Sequence, residues 1–374
     1  SETCVAFNIT SREQIIVNAR RLAEKDVGLF FETYGTKLLI DEFQRVPSIL
    51  LEIKRIVDEK ALRGEDNSGM FWLTGSQKFP MMQNVSESLA GRVAVFDMSS
   101  LSASEIEGRS AHVFSAEISK LKEAETTACH KNIHEIYHDI FRGGMPRLVT
   151  TNIERDRFYA DYINTYLERD IKDLSQVGKL SEFYDFLVLL AARTAQELKY
   201  DELAKAVGVS SPTIKNWVSI LERSGIVVIL RPYATTLTNR IVKTPKIYFM
   251  DTGLCAYLCR WPTSETLENG AMDGAFLETY VVSEIIKSYY NAGKRIDLYY
   301  YRDINQKEID LLVDGGDKLY PIEIKKAKNP SHADKNLDVL TIFKKQVEPA
   351  VIICLSDELI PYSRNAWLCP ISLI

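Results

Sequence analysis

The strongest chemical signal in the sequence is a set of two acidic residues and one lysine. Asp310 lies in the alternating segment KEIDLLVD, and Glu323 and Lys325 lie in the segment YPIEIKK that follows it. A Gly-Gly pair between the segments predicts a hairpin with a two-residue turn. That turn places Asp310 opposite Pro321 and diagonal to Glu323, with Cα atoms roughly 6–8 Å apart. Carboxylates at this spacing can bind one Mg²⁺ and its water, and the lysine can stabilise developing negative charge.

A second acidic pair follows a strand-like segment near the N-terminus. The apolar residues 38–40, LLI, lead directly into Asp41 and Glu42. A short apolar run is typical of a strand buried on both faces, and ligands of parallel sheets bind at the carboxyl ends of the strands. The next predicted strand, FWL, is followed by Thr74 and Ser76. Polar residues after two successive strands therefore indicate a phosphate site.

Alternating strands and helices position this second pair. Apolar runs predict strands at residues 4–9, 37–40, 70–73 and 93–96. Helical spacing predicts helices at residues 11–31 and 47–59. This order is typical of a parallel sheet with crossover helices, so the fold class expected for this part is α/β.

The composition excludes several classes of protein. The 374 residues are enough for two or three domains, and 46% hydrophobic with 26% charged residues is typical of globular chains. A net charge of −5 gives no general attraction for nucleic acid or for membranes, so such binding needs a local basic patch. Six scattered cysteines, with no CxxC pair, no signal peptide and no long apolar segment, predict a cytoplasmic protein with no membrane association.

The middle of the chain predicts a winged helix-turn-helix. The segment ELAKAVGVSSPTIKNWVSILERSG has two helical patterns joined by a tight turn at Gly208, and a Ser-Pro pair starts the second helix. Apolar residues 226–230 and 246–250 can form the strands of the wing. A module used only for packing or for protein contact is the alternative. Three polar residues of the second helix are candidates to contact DNA: Thr213, Lys215 and Asn216.

Several blocks of sequence together resemble the prokaryotic AAA-type ATPases that carry a C-terminal domain of unknown function, number 4143. The blocks are KLLIDEFQRVP, FWLTGSQ, SESLAGRVAVFDMSSLSASEI, RDIKDLSQVG and KIYFMDTGLCAYL. The resemblance implies that Asp41 holds Mg²⁺ and that Glu42 is the catalytic acid. It implies that Ser76 or Thr74 senses the γ-phosphate. It also makes Arg92 a candidate to face the nucleotide or a neighbouring subunit, with an ordinary surface charge as the alternative.

The C-terminal hairpin resembles the PD-(D/E)xK pattern of restriction-endonuclease-like folds. Asp310 and Glu323-x-Lys325 match the pattern, although its proline is not next to Asp310. The preceding helix offers Glu278, in a G-x-x-x-E frame, as the first acid, with Glu284 as the alternative. The resemblance implies Mg²⁺ ligands at Glu278, Asp310 and Glu323 and a catalytic role for Lys325. An alternating hairpin with ordinary surface charges is the other interpretation.

One part of the ATPase pattern is not in the sequence. The sequence contains no G-x-x-x-x-G-K-[ST] motif, which forms the loop whose backbone N–H groups and lysine hold phosphates. In the resembled family this loop precedes the strand that matches residues 4–9. We therefore expect the chain to be truncated at its N-terminus, to lack the first strand of a P-loop NTPase-type sheet, and to bind no ATP with useful affinity.

These observations predict three domains. Residues 1–150 form an AAA-type ATPase domain with a helical lid and no P-loop, residues 151–262 a linker helix and winged helix-turn-helix, and residues 263–374 a nuclease-like domain. The expected function is ATP binding and hydrolysis coupled to DNA binding and Mg²⁺-dependent DNA cleavage, with ATP and Mg²⁺ as cofactors. The alternative is an ATP-regulated protein-interaction switch with an inert nuclease fold. The sequence leaves substrate, pathway and oligomeric state open.

Overall fold

The computed structural model describes residues 5–8, 14–75, 89–109, 112–126, 130–167, 180–234 and 244–374. The chain divides into two compact units, Ser1–Val95 and Phe96–Ile374. The described helices include none that is both long and apolar enough to cross a membrane.

A parallel three-stranded sheet with flanking helices forms the first unit. Its strands β1 (Val5–Asn8), β2 (Leu38–Asp41) and β3 (Phe71–Leu73) lie side by side in that order, all parallel. Helices α1 (Gln14–Lys25) and α2 (Val27–Tyr34) connect β1 to β2, and α3 (Ile49–Leu62) connects β2 to β3. The expected parallel α/β arrangement is confirmed.

The core of this unit lies between β2 and α3. Leu38 and Ile40 of β2 are fully buried, whereas Leu39 on the opposite face is half-buried. From α3, Ile49 and Ile53 join the same core because their spacing places them on one helix face. The expectation of a strand buried on both faces therefore holds for one face of β2.

Two predictions for this part of the chain are wrong. The helix predicted at residues 11–31 is divided at Asp26, whose carboxylate accepts a hydrogen bond of 2.9 Å from Leu29 N–H and caps α2. No strand is present at residues 93–96, where Val95 and Phe96 are 49% and 65% exposed. A strand requires hydrogen-bonded neighbours, and the described part of the chain provides none beside these residues, so apolar composition alone does not form one.

The second unit begins with short helices. They are α4 (Ala103–Ile106), α5 (Ile118–Glu125), α6 (Ile133–Arg142), α7 (Pro146–Thr150) and α8 (Arg155–Tyr162), followed by a π-helical turn at Ile163–Leu167. Helix α6 packs against later helices of this unit. The expected role of this region as an ATPase lid stays a prediction.

Three helices and a small sheet form the middle of the second unit. The helices are α9 (Leu180–Ala191), α10 (Tyr200–Val207) and α11 (Ser211–Arg223). The strands β4 (Gln196–Glu197), β5 (Val227–Leu230) and β6 (Lys246–Phe249) form an antiparallel sheet in the order β4-β6-β5. Trp217 packs α11 against α9, with the centre of its ring 5.2 Å from that of Phe183 and 5.3 Å from that of Phe186.

The C-terminal part combines three helices with a mixed sheet. The helices are α12 (Thr252–Leu258), α13 (Ser264–Glu268) and α14 (Asp273–Asn291). The strands are β7 (Leu298–Arg302), β8 (Glu308–Asp314), β9 (Lys318–Ile324), β10 (Gln346–Val347), β11 (Ala350–Cys354), β12 (Ile360–Ser363) and β13 (Ala366–Pro370). The sheet order is β12-β13-β11-β9-β8-β7, with β10 also paired to β9. The strands β7, β8 and β9 are antiparallel, whereas β9, β11 and β13 are parallel.

The turn between β8 and β9 is shifted by one residue from the prediction. Gly315 N–H donates to the Lys318 carbonyl at 2.9 Å, so the two loop residues are Gly316 and Asp317. Gly316 has φ +94°, which glycine adopts readily. Leu312, and not Asp310, consequently lies opposite Pro321.

A buried carboxylate joins three segments of the second unit. Asp251, only 5% exposed, accepts hydrogen bonds from Gly144 N–H at 2.9 Å, Tyr159 Oη at 2.7 Å and Leu254 N–H at 2.8 Å. Gly143 lies against the same group, and a Cβ there would be 2.6 Å from Asp251 Oδ1. The glycine-rich loop after α6 therefore packs directly on the N-terminus of α12.

Candidate functional site

The parallel sheet brings Asp41 and Thr74 together at one edge. Thr74 N–H donates to the Ile40 carbonyl at 2.9 Å, and Thr74 Oγ1 donates to Asp41 Oδ1. The contact arises because parallel neighbours β2 and β3 end at the same edge of the sheet. A carboxylate and a hydroxyl held in contact here form a polar centre at the position where α/β sheets bind ligands.

Glu42 has an unusual backbone conformation beside this centre. Its φ of +54° lies in the left-handed region, which is uncommon for residues other than glycine. Its Oε2 accepts a hydrogen bond from Gln44 Nε2 at 2.8 Å, and the side chain is 14% exposed. Strained residues concentrate at functional sites, so the conformation of Glu42 is a reason to examine it as a catalytic residue.

Of the other two residues predicted for this site, the structure describes Arg92 and does not describe Ser76. Arg92 forms a bidentate ion pair with Asp58, with Nε 2.5 Å from Oδ1 and Nη2 3.0 Å from Oδ2. The pairing raises the pKa of Arg92 and lowers that of Asp58. Ser76 lies outside the described residues. The nucleotide contacts of both residues stay predictions.

A compact cluster of two acids and one lysine is formed by Asp310 of β8, Glu323 of β9 and Lys325, the residue that follows β9. Lys325 Nζ is 3.0 Å from Asp310 Oδ2 and 2.7 Å from Glu323 Oε2, so the ammonium bridges the two carboxylates. The backbone N–H of Ile324 donates to Asp310 Oδ2 at 2.8 Å and fixes the position of that side chain. Glu323 is only 4% exposed, so its carboxylate is held in a largely dry environment.

Helix α14 adds Glu278 to the cluster. Its Oε1 accepts hydrogen bonds from Tyr248 Oη at 2.7 Å and from Lys246 Nζ at 3.0 Å. Lys246 Nζ also lies 2.6 Å from Glu308 Oε1, which joins the helix to β8. Glu278 therefore lies close enough to Asp310 for that charge to affect its pKa, and its role as the first acid of the pattern stays a prediction.

Burial and like charge disturb the ionisation of the acids. Burial, followed by repulsion from Asp310, raises the pKa of Glu323 to about 8. Burial also raises the pKa of Glu278 to about 7, with a further contribution from Asp310 that the favourable contact with Lys246 opposes. Burial alone would lower the pKa of Lys325, but the carboxylates of Asp310 and Glu323 outweigh it and raise that pKa. Clustered, displaced pKa values are typical of functional sites.

Comparison with known families relates both centres to recognised domains. Residues 3–107 match the family described as AAA domain, and residues 273–374 match a domain of unknown function, DUF4143. Residues 133–265 match a second domain of unknown function, DUF8612. The chain has the architecture of an AAA domain followed by DUF4143. The recognition made from the sequence blocks is therefore confirmed.

Comparison with individual proteins gives distant relatives. The chain is 26% identical over 317 residues to the uncharacterized proteins Rv2008c of Mycobacterium tuberculosis and Mb2031c of Mycobacterium bovis. The match covers 84% of this chain and 64% of each relative, less than two thirds of their length. The crystal structure of protein VC1899 from Vibrio cholerae aligns over 97% of this chain and 90% of that chain at 12% identity. Its TM-score of 0.18 is too low to relate the two folds.

The acids of the DUF4143 region, Glu278, Asp310 and Glu323, offer the oxygen donors that a hard cation binds, although they are not arranged as a metal site in this structure. Glu323 Oε1 is buried and has no hydrogen-bond partner among the described residues, which is costly unless a ligand or water supplies one. Carboxylate oxygens are the ligands that Mg²⁺ prefers. In the part of the chain that the structure describes, no three His, Cys, Asp or Glu side chains form a ready metal site. The ammonium groups of Lys246 and Lys325 contact the candidate carboxylates directly.

The sequence did not lead us to Lys246 and Tyr248, which contact Glu278. Glu284, the alternative first acid, lies outside the cluster. Lys246 and Tyr248 alternate along β6 in KIYF, a pattern that places them on one face of the strand. This signal was used only to predict a wing strand. Glu284 instead accepts a hydrogen bond of 2.7 Å from Ala103 N–H and pairs with Lys287 at 2.9 Å. It therefore holds the start of α4, and Glu278 is the acid that lies in the cluster.

The residues predicted to contact DNA lie in the DUF8612 region, near the start of α11. Lys215 and Asn216 are exposed, and Lys215 Nζ lies 5.6 Å from the centre of the Tyr200 ring. Thr213 is half-buried, and its N–H donates to Ser210 Oγ at 3.3 Å in the N-terminal cap of the helix. Two of the three predicted side chains are thus accessible to a partner.

Proposed function

We propose that this chain belongs to an enzyme in which an ATP-hydrolysing AAA domain controls a Mg²⁺-dependent DNA nuclease domain. The observation that carries the proposal is the contact of Asp310, Glu323 and Lys325 on adjacent strands, with Glu278 from α14 beside them. Acids on two strands and a helix, with a lysine two residues after one of them, are the arrangement of the PD-(D/E)xK pattern. We assign the DUF4143 region to a restriction-endonuclease-like fold on this basis.

In this proposal Glu278, Asp310 and Glu323 hold the cation. A Mg²⁺ held by these residues would lower the pKa of a nearby water and would neutralise charge on the scissile phosphate. Lys325 donates to the phosphate oxygens as negative charge develops on them, a role for which its raised pKa keeps it protonated. Ile324 N–H holds Asp310 in place, because its hydrogen bond fixes one carboxylate oxygen.

The DUF8612 region is proposed to bind the DNA as a winged helix. The supporting observation is the order α10, turn, α11, followed by the antiparallel pair β5 and β6. Helix α11 has a serine N-cap and a proline in its first turn, and it exposes Lys215 and Asn216. A helix presented in this way can enter the major groove of duplex DNA.

In the AAA domain, Asp41 is proposed to hold Mg²⁺ with ATP, and Glu42 to orient the attacking water. The supporting observations are the contact of Asp41 with Thr74 and the left-handed conformation of Glu42. Thr74 is proposed to sense the γ-phosphate, because its hydroxyl already contacts the proposed Mg²⁺ ligand.

A second candidate function is an ATP-regulated protein-interaction switch with an inert nuclease fold. It is favoured by the ion pairs of Lys246 and Lys325, which already neutralise the carboxylates of the cluster. Incubation of supercoiled plasmid with the protein, in Mg²⁺ or in EDTA, tests the two proposals. Nicking that requires Mg²⁺ supports the nuclease. Intact plasmid at all Mg²⁺ concentrations supports the inert nuclease fold of the second candidate.

The ATP site gives a prediction for Glu42. In a chain that also carries a P-loop ahead of β1, we expect Glu42→Gln to retain bound ATP and to lower turnover about 10²-fold or more, because the water is no longer activated. Filter binding and phosphate release measure the two effects. Glu65→Gln is the control, because Glu65 is an exposed acid in the loop after α3. Unchanged turnover in Glu42→Gln would remove Glu42 from this role.

The DNA contact gives a prediction for Lys215. Replacing it by alanine should weaken binding to duplexes of any sequence and reduce the slope of log K against log salt by about 0.9, because one phosphate contact is lost. Fluorescence anisotropy at several salt concentrations measures the slope. Lys120→Ala, an exposed lysine of α5, should leave the slope unchanged. An identical slope in Lys215→Ala would contradict the proposed contact.

A further inference from the structure

Two donors on the neighbouring strand β6 hold the carboxylate of Glu278. Tyr248 Oη, fully buried, and Lys246 Nζ, on a side chain that is 5% exposed, both donate to Glu278 Oε1. The Glu278 side chain is 17% exposed, and glutamate has three rotatable side-chain bonds. Without these two donors its carboxylate would have several rotamers available, so the donors fix which rotamer it adopts.

The strand that supplies both donors belongs to a different matched domain from the acids. Lys246 and Tyr248 lie within residues 133–265, the DUF8612 region, whereas Glu278 and Asp310 lie within residues 273–374, the DUF4143 region. Strand β6 pairs with β4 on one side and β5 on the other, so its position is set by the sheet of the middle module. The fully buried Ile247 and Phe249, on the opposite face of β6, anchor it in the core.

A second connection fixes this sheet relative to the acidic strands. Beyond the end of β5, Tyr233 N–H donates to the Tyr300 carbonyl at 2.6 Å, and Tyr300 N–H donates to the Arg231 carbonyl at 3.2 Å. Arg302 of β7 bridges the same two sheets, with Nη1 2.8 Å from Glu197 of β4 and Nε 3.1 Å from Glu308 of β8. Backbone and ion-pair contacts therefore fix the position of the sheet that contains β6 relative to β7 and β8.

We propose that the candidate nuclease site is composite, and that Tyr248 is a positioning residue that the DUF8612 region supplies to orient Glu278. The inference rests on the proposed function of the cluster. Tyr248 acts through Glu278 and does not touch the substrate. Hydrogen-bond partners of metal-binding carboxylates typically change metal affinity 10–100-fold when they are removed, which gives the expected size of the effect.

Mn²⁺ binding to the intact chain tests this proposal without reference to cleavage. Electron paramagnetic resonance counts free Mn²⁺ during a titration, and Asp310→Asn identifies the binding that belongs to this cluster. Tyr248→Phe should weaken that binding at least tenfold. Tyr137→Phe is the matched control: Tyr137 is also fully buried, and its Oη donates to the Asp273 carbonyl at 2.8 Å. The control should bind Mn²⁺ as the wild type does.

A double-mutant cycle with Glu278→Gln separates positioning from a loss of packing. If Tyr248 acts through Glu278, then Tyr248→Phe should weaken Mn²⁺ binding no further in the Glu278→Gln background. Equal weakening in both backgrounds, or less than twofold weakening in the single variant, would overturn the positioning role while leaving the nuclease proposal standing. A wild-type chain without Mn²⁺ binding sensitive to Asp310→Asn would overturn the nuclease proposal and this inference with it.

Discussion

Replacing Lys325 by alanine should lower Mg²⁺-dependent nicking of plasmid DNA by roughly 10²–10³-fold, the usual loss when one donor to a developing anion is removed. Lys325 is the group that lies between Asp310 and Glu323, with its ammonium within 3.0 Å of both. Its side chain remains 35% exposed, so it is accessible to a phosphate. Single-turnover nicking rates, with protein in excess over plasmid, measure the chemical step.

Two further variants make this result specific. Asp310→Asn should give a loss of similar size, because the carboxamide carries no charge for the cation. Lys307→Ala removes a lysine of the same sheet region that is 41% exposed and pairs with Asp338, and it should nick at the wild-type rate. Nicking that persists unchanged in both Lys325→Ala and Asp310→Asn would show that the cluster is not the source of the activity.

Replacing Asp251 by alanine should lower the free energy of unfolding of the second unit by about 3–5 kcal/mol, because three donors lose the carboxylate and only Tyr159 Oη has another acceptor among the described residues, the Arg142 carbonyl at 3.0 Å. Those donors are Gly144 N–H, Tyr159 Oη and Leu254 N–H. The loss includes the N-cap of α12 and the link from the loop after α6. Urea unfolding followed by tryptophan fluorescence measures the change, since Trp217 lies in the core of this unit.

Graded replacements distinguish the hydrogen bonds from the volume of the side chain. Asp251→Asn keeps one oxygen acceptor and should lose about half as much stability as Asp251→Ala. Asp161→Ala changes an exposed carboxylate on the same helix as Tyr159 and should leave the unfolding midpoint unchanged. A midpoint of Asp251→Ala equal to that of the wild type would show that this network contributes little to stability.

The sequence by itself determined the local elements that have clear patterns. The alternating segment KEIDLLVD contains β8, and the apolar run just before Asp41 predicts β2 within one residue. These succeed because a period of two and a short apolar run depend only on neighbouring residues. The sequence also predicted that Asp310, Glu323 and Lys325 lie close together, because a glycine-rich turn between two alternating segments favours a hairpin.

Only the tertiary structure decided the register, one absent strand and the origin of the donors to Glu278. The register moved by two residues because the turn uses Gly316 and Asp317, a choice fixed by turn geometry that composition does not reveal. Residues 93–96 have strand composition without a strand, because pairing depends on a distant neighbour. Tyr248 reaches Glu278 only because two sheets far apart along the chain come together. Each of these features depends on contacts between residues separated in sequence, which a local pattern cannot specify.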